Sequence, residues 1–187
     1  AQCEIVILVG SETGSTMSFA GLFYNELLNK GKKVLLTQMD KYQKFPKMEH
    51  LVIFTSTYGD GEPPANATKF MSQLQKNNQS QDFNYSVVGF GSLAYPSYCK
   101  FAFDVDDALK ASSGAQELLG VYTINNKSWE AFDQWVDQWG ERLGLALDVP
   151  RDNAVTKPRK KPKKFRVIAK TQAHDSADDT FLVTLQS

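Results

Sequence analysis

The chain carries only two cysteines, Cys3 and Cys99, and two histidines, His50 and His174, among 187 residues. With no Cys-x-x-Cys and no clustered His, neither a metal site nor a disulfide framework is suggested. No apolar run approaches the roughly 20 residues that cross a bilayer, and no basic-then-apolar leader opens the chain. A reduced, cytoplasmic protein is the expectation. Net charge is also absent, since 21 Lys and Arg balance 21 Asp and Glu. The zero averages two unlike parts: residues 1–150 hold 12 basic against 17 acidic side chains, and residues 151–187 hold 9 against 4. An acidic body and a basic tail read as separate structural units.

What is present is a repeating alternation. The apolar runs 4–9, 33–38, 50–56, 85–91 and 116–122 read as strands. Between and after them, 17–31, 66–76, 101–114 and 128–144 have apolar residues at helical spacing, with Gly31 and Gly114 placed as helix ends and Ser128 as an N-cap. Strands alternating with helices, and apolar throughout, imply an α/β fold with a parallel sheet covered on both faces. Five strands in this length fit a doubly wound sheet of order 2-1-3-4-5, in which ligands sit beyond the carboxyl ends of the strands at the switch between the first and third. Residues 1–147 form that domain. Residues 148–164 mix proline with clustered Lys and Arg and read as an extended linker. The runs 165–170 and 180–186 read as two strands, too few for a stable domain of their own, and so as the start of another.

Three loops lie at the carboxyl ends. "GSETGST", Gly10 to Thr16, follows the first strand. It offers hydroxyls from Ser11, Thr13, Ser15 and Thr16 and opens a helix, the composition of an anion site. Without the lysine of a Walker loop, it is suited to holding a phosphate monoester or simply to capping the helix. "STYGDGEPPANA", residues 56–67, follows the third strand and presents Tyr58 beside Gly59. "GFGSLAYPSYC", residues 89–99, follows the fourth; Gly89 and Gly91 allow close backbone approach, and Pro96 pushes Tyr95 towards extended backbone. A phosphate cradle with two tyrosines at neighbouring strand ends suits a planar ring that carries a phosphate.

In order and spacing, "GSETGST", "TSTYGDGEPPANA" and "VVGFGSLAYPSYCKFA" resemble the three FMN-binding loops of flavodoxin-like domains. They most resemble those of the diflavin reductases: NADPH–cytochrome reductases, sulfite reductase flavoproteins and the reductase half of nitric oxide synthases. The resemblance covers about residues 4–145. It implies that Ser11, Glu12, Thr13, Gly14, Ser15 and Thr16 form the phosphate loop. It places Ser56, Thr57, Tyr58, Gly59, Asp60 and Gly61 around one flanking ring, with the Gly59 peptide facing flavin N5. Gly89, Gly91, Ser92, Tyr95 and Cys99 form the third loop, with Tyr95 as the second ring. It further implies FMN as cofactor, FAD and NADPH in a longer parent protein, and residues 165–187 as the first strands of its FAD-binding reductase domain. It also implies a downstream redox protein that takes the electrons, and no nucleic-acid partner.

One stretch departs from the family. Where an acidic run commonly follows the fifth strand, this chain reads "LLGVYTINNKSWEAF", with no carboxylate between Glu117 and Glu130 and with Tyr122 and Asn125 as possible substitutes. The implied function is one-electron transfer, with no residue acting as acid or nucleophile. Two aromatic faces and the nearby Asp60 and Glu62 disfavour an anionic reduced flavin. Asp104, Asp106, Asp107, Glu130, Asp133 and Asp137 are candidates for steering basic partners, although each can equally serve only to solvate a helix face. Trp135 and Trp139 read as core, and Cys99 as a small packed residue. Alternatives are a stand-alone flavodoxin-type carrier and a response-regulator-like domain; the second lacks paired acids after the first strand.

Overall fold

The computed structural model describes residues 3–11, 14–43, 48–76, 82–151, 166–172 and 181–186, the last two as strand backbone. Glu12 and Thr13 of the first loop, and most of the linker at 152–164, lie outside the described residues. Ile5–Gly10 (β1), Ser15–Asn29 (α1), Val34–Gln38 (β2), His50–Ser56 (β3), Phe70–Lys76 (α2), Phe83–Gly91 (β4), Lys100–Lys110 (α3), Ala115–Asn125 (β5) and Trp129–Arg142 (α4) alternate along the chain. The strands form one parallel sheet in the order β2-β1-β3-β4-β5, as the alternation implies.

The apolar runs serve two cores because successive side chains point to opposite faces. Val6 and Leu8 of β1 and Leu51 and Ile53 of β3 join Phe70 of α2 and Phe101, Val105 and Leu109 of α3. Ile5, Ile7 and Val9 of β1 and Val52 and Phe54 of β3 meet Phe23 and Leu27 of α1 and Phe132, Trp135 and Trp139 of α4. The two tryptophans are fully buried, as the helical spacing implies.

Helix ends follow local chemistry. α1 closes on Gly31 at φ 75, with Lys32 N–H donating to Leu27 O at 3.0 Å and Gly31 N–H to Leu28 O at 2.9 Å. That paired closure favours glycine at the left-handed position. Ser128 caps α4 by accepting from Ala131 N–H at 3.2 Å. α3 ends at Lys110, before Gly114, and the Ser112 hydroxyl donates back to Ala108 O. α2 starts at Phe70 rather than 66 because Asn66 is engaged elsewhere: its carbonyl accepts from Asp40 N–H and its side chain from Ser11 N–H.

Asp106 does not face partners. It is 4% exposed, accepts from the Tyr85 hydroxyl at 3.1 Å and pairs with Lys110 at 2.8 Å. Burial first, and the Asp106 charge second, push the Tyr85 phenol far above its usual range. Asp104 is paired with Lys100, whereas Asp107, Glu130, Asp133 and Asp137 remain exposed.

The compact unit runs from Ala1 to Ala154. It does not stop at 147: Val149 is buried beside Leu147, and Asp148 N–H donates to the buried Glu26 carboxylate at 3.1 Å. A second unit, Val155–Ser187, contains Arg166–Gln172 (β6) and Phe181–Gln186 (β7), paired antiparallel. Among the described residues, no helix is long and apolar enough to cross a membrane.

Candidate functional site

Sheet register brings the loops together. Gly10 of β1 is level with Thr55 of β3, Thr55 with Gly89 of β4, and Gly89 with Thr123 of β5. Each of these strands ends within two residues of that level. A cleft of about 630 Å³ opens there, inside the range of roughly 300–1,000 Å³ usual for small-molecule sites.

Of the expected residues, Ser15, Thr16, Ser56, Thr57, Tyr58 and Gly59 line the cleft, and so do Gly91, Ser92, Tyr95 and Cys99. Ser11, Gly14, Asp60, Gly61 and Gly89 stand outside its wall. Tyr58 and Tyr95 are 54% and 68% exposed, large aromatic surface left at the mouth of one cleft. Neither ring meets another aromatic among the described residues.

The first loop holds unused hydrogen-bonding capacity. The Ser11 hydroxyl is buried and has no partner among the described residues, while its N–H donates to Asn66 Oδ1 at 2.9 Å. Gly14, at φ 77, precedes α1 and offers no side-chain cap. A helix start without a side-chain cap, next to a buried hydroxyl without an acceptor or donor, fits a phosphate.

The other two loops are clamped. Gly59, at φ 48, sits in a turn whose Tyr58 O accepts from both Gly61 and Glu62 N–H. The Thr57 hydroxyl accepts from Phe101 N–H at 3.1 Å and so caps α3. Ser97 Oγ donates to Asp60 O at 2.9 Å, joining the Tyr58 loop to the Tyr95 loop. Leu93 N–H donates to Asn125 Oδ1 at 3.0 Å, and Asn126 N–H to Gly91 O at 2.8 Å. Asn125 thus holds the Tyr95 loop from behind, whereas Tyr122 turns its hydroxyl to Gln134 of α4.

Two sets of expected residues have protein neighbours or solvent around them. A Cβ on Gly89 would stand 2.8 Å from Ala102 Cβ and 3.0 Å from Cys99 Cβ, and one on Gly91 would stand 3.0 Å from Cys99 Sγ. Gly89 admits the start of α3 to the sheet, and Gly91, itself in the cleft wall, admits Tyr98 and Cys99. Gly89→Val is therefore expected to lower stability by about 1–3 kcal/mol by overpacking, as read by urea unfolding of the unliganded chain. A Gly89→Val chain of unaltered stability that binds ligand poorly would return Gly89 to the ligand. Second, Asp60 and Glu62 are exposed and outside the wall, with Glu62 packed against Gly59.

Five wall residues escape the sequence reading: Phe90, Ser97, Tyr98, Asn126 and Lys127. Tyr98 follows Tyr95 in the same loop, where its spacing could have marked it. Asn126 and Lys127 are missed because β5 runs to Asn125, past the Tyr122 that ends the visible apolar run. Burial raises the Tyr98 phenol, against a hydrogen bond with Thr123 that lowers it. Burial pushes the Cys99 thiol up to about 11, with the Tyr98 hydroxyl pulling the other way. Cys99 is therefore a neutral, packed thiol and no nucleophile.

The family model described as Flavodoxin matches residues 7–139. NADPH oxidoreductase A of Dictyostelium discoideum is 30% identical over 140 residues, covering 72% of this chain and 22% of that protein. The inducible nitric oxide synthase of Cavia porcellus is 30% identical over 210 residues, covering all of this chain and 18% of that protein. The chain therefore spans about a fifth of the length of these curated relatives. Among solved structures, a Streptococcus flavodoxin superposes with a TM-score of 0.64 at 27% identity, covering 75% of this chain and 97% of that one.

Proposed function

The chain belongs to the flavodoxin family, and from that premise we propose that it is the FMN-binding electron-transfer domain of an NADPH-dependent diflavin reductase. In that role it takes electrons from an FAD-bearing domain of the same parent protein and passes them singly to an acceptor protein. The observation that carries this reading is the cleft itself: two exposed tyrosines flank it, and shortly before α1 the Ser11 hydroxyl is buried without a partner among the described residues.

When bound, FMN supplies the redox chemistry. The chain binds and orients it. Ser11, Ser15 and Thr16 would hold the phosphate with the backbone at the start of α1, and Tyr58 and Tyr95 would cover the ring. Gly59 offers its peptide in the wall, in a turn fixed by Tyr58 and Glu62. The Thr57 hydroxyl and the Ser97–Asp60 contact keep the two tyrosine loops at a set separation. No side chain needs to exchange a covalent bond. The reductase setting draws support from the second unit, because an antiparallel pair of strands is not stable alone, and from a relative that aligns with the whole chain.

Tyr95→Ala is expected to weaken FMN binding by about 1–3 kcal/mol, through lost burial and stacking. Titration of the unliganded chain with FMN, followed by quenching of flavin fluorescence, reads this directly, and an unchanged affinity would remove Tyr95 from the site. The longer reading frame is tested separately. A parent that holds one FAD and one FMN and is reduced by NADPH supports the reductase setting. A frame that ends at Ser187 replaces it with a free flavodoxin-type carrier.

A further inference from the structure

We infer that Lys127 sets how much more tightly the cleft holds reduced FMN than oxidised FMN. This rests on the FMN reading above. Among the described residues of the cleft wall, Lys127 is the one with a formal charge; the others are hydroxyl, aromatic, glycine, amide or thiol groups. It pairs with no carboxylate among the described residues.

Its backbone is held in an unusual way. Asn126 and Lys127 have φ 48 and 58, and Ser128 N–H donates to Asn125 O at 3.0 Å. The segment is thus a two-residue turn with positive φ at both central positions, where glycine and asparagine are favoured and a lysine is strained. Each end is anchored: Asn126 N–H to Gly91 O, Asn125 Oδ1 to Leu93 N–H, and Ser128 Oγ to the start of α4. A strained, anchored residue at a ligand cleft directs attention to its side chain. Here that side chain is a cation.

Two electrons and one proton convert the neutral oxidised ring into a monoanion; a second proton neutralises it. A nearby cation favours the anion. The phosphate has the same charge before and after, so the ratio of the two affinities isolates the ring. By linkage, that ratio moves with the potential of the bound flavin. A unit charge several ångströms away in a solvated cleft changes the ratio by about three- to tenfold at low ionic strength, and by less as salt screens it.

The test uses the full chain loaded with FMN, with lysine, K127R, K127Q and K127G compared by dye-equilibrium potentials under dithionite reduction and by FMN titration. K127Q and K127G are expected to lower the reduced-over-oxidised affinity ratio by about three- to tenfold, with the difference shrinking in about 0.5 M salt, while K127R retains it. K127G should melt no lower than the parent, since glycine relieves the strained turn. A ratio that is equal in all four FMN-loaded chains overturns the assignment, as does a K127R chain that falls as far as K127Q. A parent chain that takes up no FMN overturns the FMN reading together with it.

Discussion

Trp135→Ala should cost about 3–5 kcal/mol of unfolding free energy, the scale for deleting a large buried aromatic. Trp135 is completely buried on α4, with ring centroids 5.0 Å from Phe23, 5.1 Å from Phe54 and 6.3 Å from Phe132. It joins α4 to α1 and to β3, so its removal leaves a cavity bounded by a rigid sheet. In a chain of this size the melting temperature should fall by about 10 °C. Trp135→Phe should cost far less, because the indole N–H is buried without a partner among the described residues and the phenyl ring keeps much of the packing. Urea unfolding checks both. A loss under about 1 kcal/mol for Trp135→Ala would mean that α4 does not pack as described. Because α4 begins directly after the Asn125–Ser128 turn, loosening it should also weaken ligand binding from a distance.

The second large effect concerns the phosphate. Riboflavin, which lacks it, should bind about 10²- to 10⁴-fold more weakly than FMN, since two charge-assisted hydrogen bonds are each worth about 1.5–3 kcal/mol. Ser11 is central because its hydroxyl is buried and lacks a partner among the described residues. Parallel titrations with the two flavins read the ratio. Equal affinities would show that the first loop is a helix start and nothing more.

Much of this molecule was legible in its residues, and the exceptions have physical causes. His50–Ser56 is bounded as "HLVIFTS" suggests, because every side chain from Leu51 to Thr55 is buried. Ser128 was legible as a cap because its hydroxyl sits one residue before an amphipathic stretch. β5 was harder: Gly120 is exposed, and near its end only Ile124 is fully buried, so the apolar signal fades before the strand does. Asp106 looks like a surface acid in sequence, and only the fold brings Tyr85 and Lys110 to it. Gly89 and Gly91 resemble ligand-binding glycines in sequence, yet what stands at their Cβ positions is Ala102 and Cys99 for the first, and Cys99 and Tyr98 for the second. The charge of Lys127 is plain in the sequence, but its place in the cleft wall depends on two consecutive positive φ angles that no local pattern announces. The tyrosines were legible because large aromatics beside glycine at strand ends have few purely structural uses.

The most direct measurement is of the chromophore. The purified chain, incubated with FMN, desalted and then heat-denatured, should release one FMN per chain, with flavin absorbance before denaturation and none in a riboflavin control handled at the same concentration. A colourless chain that retains no FMN would contradict a flavin site at the carboxyl ends of β1, β3 and β4.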